Sequence, residues 1–202
     1  MAVRTPRSKI APEGFPYKIS MISGLLTTVA AGDSVFSMLW TNTAKRCLVW
    51  KFSWHYTYMV VFTAAQEVVH QLWIARGTTV ADSGGTAATL TTTNAKMDSL
   101  DAVPSAMGDM RIAAATGLTA GTRTLDAQGM VTRGAWCAAA LASGVYSLPV
   151  MENDFGLRIS DNPITLRAGE QICLRNTILM GAAGVIKLYV DVEWSEVDVG
   201  VV

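Results

Sequence analysis

Charge is scarce in this chain. Its 202 residues carry 16 Lys+Arg, 16 Asp+Glu and two His, so 16% are charged and the formal net charge at pH 7 is zero. A balanced, sparsely charged chain sets up no general field for gathering DNA, RNA or an anionic membrane, which leaves such contacts to local patches. Cysteine is equally scarce. Cys47, Cys137 and Cys173 are odd in number, far apart and in no C-x-x-C spacing, which argues against a disulfide scaffold and a structural zinc site. They are expected to be small buried thiols. Of the two histidines, neither His55 nor His70 has a metal-type neighbour two to four residues on, so no metal is expected; His70 should be a buried histidine satisfied by one hydrogen bond. No Walker loop exists either, because Gly117-Leu118-Thr119-Ala120-Gly121-Thr122 lacks the lysine that would hold a phosphate, and no cofactor is expected. Long apolar runs are missing as well. The longest uncharged stretch, Gly134 to Met151, is broken by Gly134, Ser143, Gly144, Ser147 and Pro149, so no transmembrane helix is expected. The charge-free stretch from Ile19 to Gly32 resembles a signal peptide only superficially, since Pro6, Pro12, Pro16 and Glu13 precede it.

Apolar residues, by contrast, make up 50% of the chain, enough to exclude disorder throughout and to fill one large domain. Residues 1–18 differ from the rest. Arg4, Arg7, Lys9 and Lys18 stand there against Glu13, with three prolines and little apolar periodicity, which reads as an extended basic arm. The acidic residues Asp191, Glu193, Glu196 and Asp198 near the other end suggest that arm and tail of adjacent subunits attract. From residue 19 to 202 the pattern is that of a single β domain. Ile19 to Ala30 and Ser34 to Trp40 are strand-like runs separated by the turn residues Ala31-Gly32-Asp33. Arg46 to Phe62 alternates at period two, with Leu48, Trp50, Phe52, Trp54, Tyr56 and Tyr58 expected on one aromatic face. Glu67 to Arg76 is apolar on both faces, as a central strand would be.

Between residues 77 and 128 the composition turns to Thr, Ala and Gly, and only Met110 to Ala115 looks like a strand. So long a weakly apolar excursion is functional or ordered by a neighbour more often than idle, which makes it a candidate intersubunit surface. Strong strand signals return at Phe155 to Ser160, Ile164 to Arg167, Gln171 to Met180 and Val185 to Val197. Gly181-Ala182-Ala183-Gly184 between the last two suggests a hairpin turn. Short strands with Gly, Pro and Asp punctuation and no comparable helical periodicity predict an all-β antiparallel sandwich of jelly-roll-like form.

Catalytic motifs are thin. Asp82-Ser83-Gly84-Gly85 resembles the nucleophile loop of a serine protease or the Asp-Ser-Gly of an aspartic protease half, yet the supporting His-Asp-Ser order and apolar flanks are missing. A tight turn accounts for the same four residues. Cys47 and His55, eight residues apart on one strand, would lie about 27 Å apart, too far for a nucleophilic dyad. The arm could touch nucleic acid, but three charges there supply few phosphate contacts, so docking on a neighbouring protein is the preferred reading. An exposed tryptophan such as Trp136 could stack on carbohydrate.

The run Ala81-Asp82-Ser83-Gly84-Gly85-Thr86-Ala87-Ala88-Thr89-Leu90-Thr91, with Asn94-Ala95-Lys96, Gly108-Asp109-Met110-Arg111-Ile112, Leu118 to Ala127 and the ending Ile178 to Val197, resembles virion structural proteins of tailed bacteriophages. The resemblance spans roughly residues 45 to 197. It implies a non-enzymatic, multicopy particle component assembled in the bacterial cytoplasm, whose partners are copies of itself and a major capsid protein. A capsid decoration or cement protein is the leading expectation, and a tail, baseplate or fibre component the alternative. Contact candidates are Arg4, Arg7, Lys9, Lys18, Asp82, Arg111 and Arg123, with a hydrolase built on Asp82 and Ser83 as the remote alternative. No small-molecule substrate or membrane is expected.

Overall fold

A computed structural model describes residues 16–90, 95–96, 104–137, 157–158 and 163–200. Its strands are β1 (Pro16–Ile22), β2 (Ser34–Trp40), β3 (Lys45–Val60), β4 (Gln66–Arg76), β5 (Thr86–Ala87), β6 (Asp109–Ile112), β7 (Thr124–Leu125), β8 (Val131–Cys137), β9 (Leu157–Arg158), β10 (Ile164–Leu166), β11 (Glu170–Asn176) and β12 (Val185–Asp198). No helix occurs among the described residues. Two antiparallel sheets result. The first runs β1-β12-β3-β10, with β9 also on β3; the second runs β5-β6-β2-β11-β4-β7, with β8 also on β4. As the two-faced apolar pattern of residues 67–76 implies, β4 is interior to its sheet.

The sheets face each other across one core, giving a sandwich-like architecture. Phe36 of β2 meets Phe52 of β3 edge-on at 5.4 Å, and Tyr56 of β3 meets His70 of β4 at 5.5 Å. β12 shows how the pattern makes the layer. Ile186, Leu188, Val190, Val192 and Trp194 are fully buried, each contributing about 2 kcal/mol of apolar transfer, while Lys187, Tyr189, Asp191 and Glu193 between them are half-buried on the outer face.

Four expectations change in detail. The single aromatic face of β3 is broken. Pairing with β12 shifts between Lys51↔Glu193 and Val49↔Trp194, so Trp50 is the extra residue of a β-bulge. Cys47 and Val49 before it, and Phe52 and Trp54 after it, therefore enter the same core, and Trp50 instead donates its indole N–H to Ser195 Oγ at 2.7 Å.

The expected hairpin between β11 and β12 does not form, because β11 pairs with β2 and β4 while β12 pairs with β1 and β3. Residues 177–184 cross between the sheets. The Thr177 N–H bonds Val69 O at 2.9 Å and the Met180 N–H bonds Val29 O at 3.1 Å, and Gly184 lies so close to the Phe62 ring that a Cβ there would overlap it.

The strand expected over residues 19–30 stops at Ile22. Ser23 Oγ accepts the Leu188 N–H at 2.8 Å, after which the Gly24 and Thr27 amides bond the carbonyls of Ala113 and Ala115. The chain has begun to change sheets there.

Lastly, β1 begins inside the expected arm. Tyr17 is buried and stacks on Trp194 at 5.4 Å, so residues 16–18 belong to the sheet, and residues 1–15 lie outside the described residues. The 77–128 stretch is likewise woven in: β5 and β6 extend the second sheet beyond β2, and β7 pairs with the end of β4.

Candidate functional site

The contact candidates separate into three groups once folded. Arg4, Arg7 and Lys9 lie outside the described residues. Lys18 sits on β1 opposite Glu193 of β12 and pairs with it at 3.1 Å within the same chain. Glu196 is also engaged internally, accepting from Ser105 Oγ at 2.6 Å and the Ala106 N–H at 2.8 Å. Two of the acidic groups expected to attract a neighbour's arm are thus spent inside their own subunit.

Asp82, Arg111 and Arg123 gather around one turn. Gly84 and Gly85 have φ of +78° and +60°, the left-handed conformations that make the Asp-Ser-Gly-Gly sequence a turn. Asp82 points inward from it. Its side chain is 0% exposed and forms an ion pair with Arg123, itself 6% exposed. Asp82 Oδ1 also accepts the Gly121 N–H at 2.9 Å, and Oδ2 accepts from Gln171 Nε2 at 3.1 Å. Arg123 Nη2 reaches Ser34 Oγ at 2.9 Å. Arg111 stays nearer the surface, held by Asp109 at 2.8 Å and by the Gly84 carbonyl at 3.3 Å. Asp82 and Arg123 are therefore a buried bolt between the 77–128 stretch and strands β2 and β11, with no free face for a partner. Both carboxylate oxygens of Asp82 are occupied, and the Ser83 backbone is bridged to Thr119.

The thiols are buried and free. Burial pushes the Cys47 thiol well above its usual range and Cys173 up to about 11, which keeps both in the unreactive thiol form. His70 departs from expectation: it is fully buried, and neither ring nitrogen has a hydrogen-bond partner among the described residues. Burial lowers its pKa to about 4. His55 stacks flat on Tyr189 at 4.5 Å on the other face of β3. No group of three or more His, Cys, Asp or Glu able to hold a metal occurs among the described residues.

What sequence reading missed is a division between the two ends of the sandwich. Val60↔Val185 and Leu26↔Ile186 mark one end, where the connections 23–33, 61–65 and 177–184 run. Among the described residues, six of the ten exposed large apolar side chains belong to this end: Leu25, Met59, Val60, Trp136, Ile178 and Leu179, with Trp136 68% exposed and Leu179 63%. The opposite end holds Lys45, Arg46, Arg76, Asp126, Arg167, Glu170 and Asp198. The apolar residues come from four separate segments, so no linear motif announces them; a lone exposed leucine is ordinary, whereas several at one end make a candidate interaction surface. Comparison with protein-family models, curated proteins and solved structures finds no match.

Proposed function

We propose that this chain is a non-enzymatic, multicopy structural protein of a bacteriophage particle, acting as a decoration or cement protein on the head. The observation that carries this reading is the apolar end at Leu25, Met59, Val60, Trp136, Ile178 and Leu179. A sparsely charged chain with six of the ten exposed large apolar side chains among the described residues at one end suits a subunit that spends its life against neighbours. Strand order adds support. Setting aside β9 and the short strands of the 77–128 stretch, the remaining eight strands in chain order run 1-8-3-6 in one sheet and 2-7-4-5 in the other. That order supports the jelly-roll reading, two Greek keys wrapped together, an architecture used in viral capsid domains. The resemblance of residues 45–197 to phage virion proteins points the same way.

The mechanism would be thermodynamic. A subunit that binds only the assembled shell, by burying its apolar end across neighbouring shell subunits, stabilises the shell by mass action. Val60→Asp with Leu179→Asp is therefore expected to lower the number of copies retained on purified particles by about tenfold or more, since two charges would be buried unpaired. Both residues are exposed, at 49% and 63%, so the isolated variant should keep its far-UV circular dichroism and its melting temperature. Quantitative mass spectrometry of particles assembled with each form checks this, and equal retention would remove the apolar end from the interface. A tail, baseplate or fibre subunit is the alternative within the same class.

A further inference from the structure

At the charged end of the sandwich, the start of β3 and the turn between β10 and β11 border an open hollow of about 250 Å³. It is lined by Thr43, Lys45, Arg46, Arg167, Ala168 and Val199. Three cations converge there from two places in the chain. Lys45 and Arg46 open β3 opposite Asp198 and Val197 of β12. Arg167 follows β10 in a turn fixed by its own N–H, which donates to Glu170 Oε2 at 2.8 Å, and by Gly169 at φ +79°.

The carboxylates within reach are largely committed elsewhere. Glu196 gives its Oε1 to Ser105 and Ala106, and its Oε2 makes a long ion pair with Lys45 Nζ at 3.9 Å, which leaves the two arginines as the open charges. Glu170 is held by Arg76 at 2.6 Å. Asp198 is exposed and forms no ion pair among the described residues. The side chains of Arg46 and Arg167 have no ion pair or hydrogen bond among the described residues either.

Guanidinium groups that line one hollow and have no partner among the described residues have a definite chemical preference. Each presents a planar fork of N–H donors matched to the two oxygens of a carboxylate or a phosphate. Ala168 and Val199 add an apolar wall, and the volume suits one or two side chains, below the range of drug-sized ligands. We propose that this hollow binds a carboxylate carried by an acidic segment of another protein. A nucleic acid fits less well: three cations answer few phosphates, and a chain of zero net charge supplies no field to hold a polyanion alongside. The site goes beyond the particle reading and stands apart from the apolar end, so either can fail without the other.

The test uses the purified full chain, isotopically labelled, titrated with a blocked hexapeptide of alternating Asp and Glu. Inorganic phosphate and a short single-stranded oligonucleotide serve as comparators at matched ionic strength. Saturable NMR shifts centred on Arg46, Arg167 and Ala168 are expected with the peptide. Arg46→Gln with Arg167→Gln should weaken that binding about tenfold or more with no change in melting temperature. Arg46→Lys, which keeps the charge and loses the fork, should weaken it less, and Lys187→Gln on the outer face of β12 should leave it unchanged. Absence of saturation, equal binding by the double variant, or binding of phosphate or the oligonucleotide in place of the peptide would overturn the proposal.

Discussion

Asp82→Ala is expected to lower the free energy of unfolding by about 3–5 kcal/mol, the range for breaking a buried ion pair from one side. The cause lies in what the alanine leaves behind. Arg123, 6% exposed, would keep its charge with Ser34 Oγ at 2.9 Å and the neutral Cys173 thiol beside it but no carboxylate among its described partners, and the Gly121 N–H and Gln171 Nε2 would each lose an acceptor. At about 2–4 °C per kcal/mol for a chain of this size, the melting temperature should fall by roughly 10 °C. Removing the stranded charge as well, in Asp82→Ala with Arg123→Met, should return a large part of the loss, because apolar replacement of a whole buried pair is often neutral. Urea midpoints of the three proteins check the cycle. An Asp82→Ala variant as stable as the parent would mean that the bolt between the 77–128 stretch and strands β2 and β11 carries no load.

His70 supplies the second large effect, this time in pH. Its pKa is lowered from 6.5 to about 4 by burial, so between those values the unfolded chain binds a proton that the folded chain refuses. Stability from this residue is thus complete above pH 6.5 and is lost as pH falls toward 4, by up to about 3 kcal/mol. His70→Leu should abolish that part of the acid sensitivity. At pH 7.5 it should be neutral or stabilising, because it removes two ring nitrogens without hydrogen-bond partners among the described residues. Carboxylates also titrate near the acid end, so the quantity to follow is the parent-minus-variant difference in unfolding free energy at pH 7.5, 5.5 and 4.5. A difference that does not change with pH would contradict the assignment.

Period-two alternation located β3, β4 and β12, and short apolar runs located β2, β10 and β11, because each buries one or both faces, and burial is what writes the pattern. The same logic misread β3 around Trp50, where one bulged residue switches the inward set from odd to even positions. A strict period cannot encode an extra residue. The link from β11 to β12 was misread for a different reason. Gly181-Ala182-Ala183-Gly184 suits a hairpin turn, but whether two successive strands pair or enter opposite sheets depends on β2 and β4 flanking β11, which are distant in sequence. The turn at Asp82 to Gly85 was legible from its glycines. The bond from Asp82 to Arg123 was not, since a pair of charges far apart along the chain looks the same in sequence whether it is buried together or exposed for a partner. The apolar end was hidden likewise, being assembled from four segments that each contribute one or two side chains.

The central claim is that many copies of this chain coat a phage head. Copy number per purified particle, measured by quantitative mass spectrometry against the major capsid protein, tests it most directly. On the order of hundreds of copies is the expected result, as repeated occupancy of a symmetric shell requires. About a dozen copies or fewer would contradict the head location and favour a tail, baseplate or fibre subunit, and a particle without the chain would contradict the virion reading altogether.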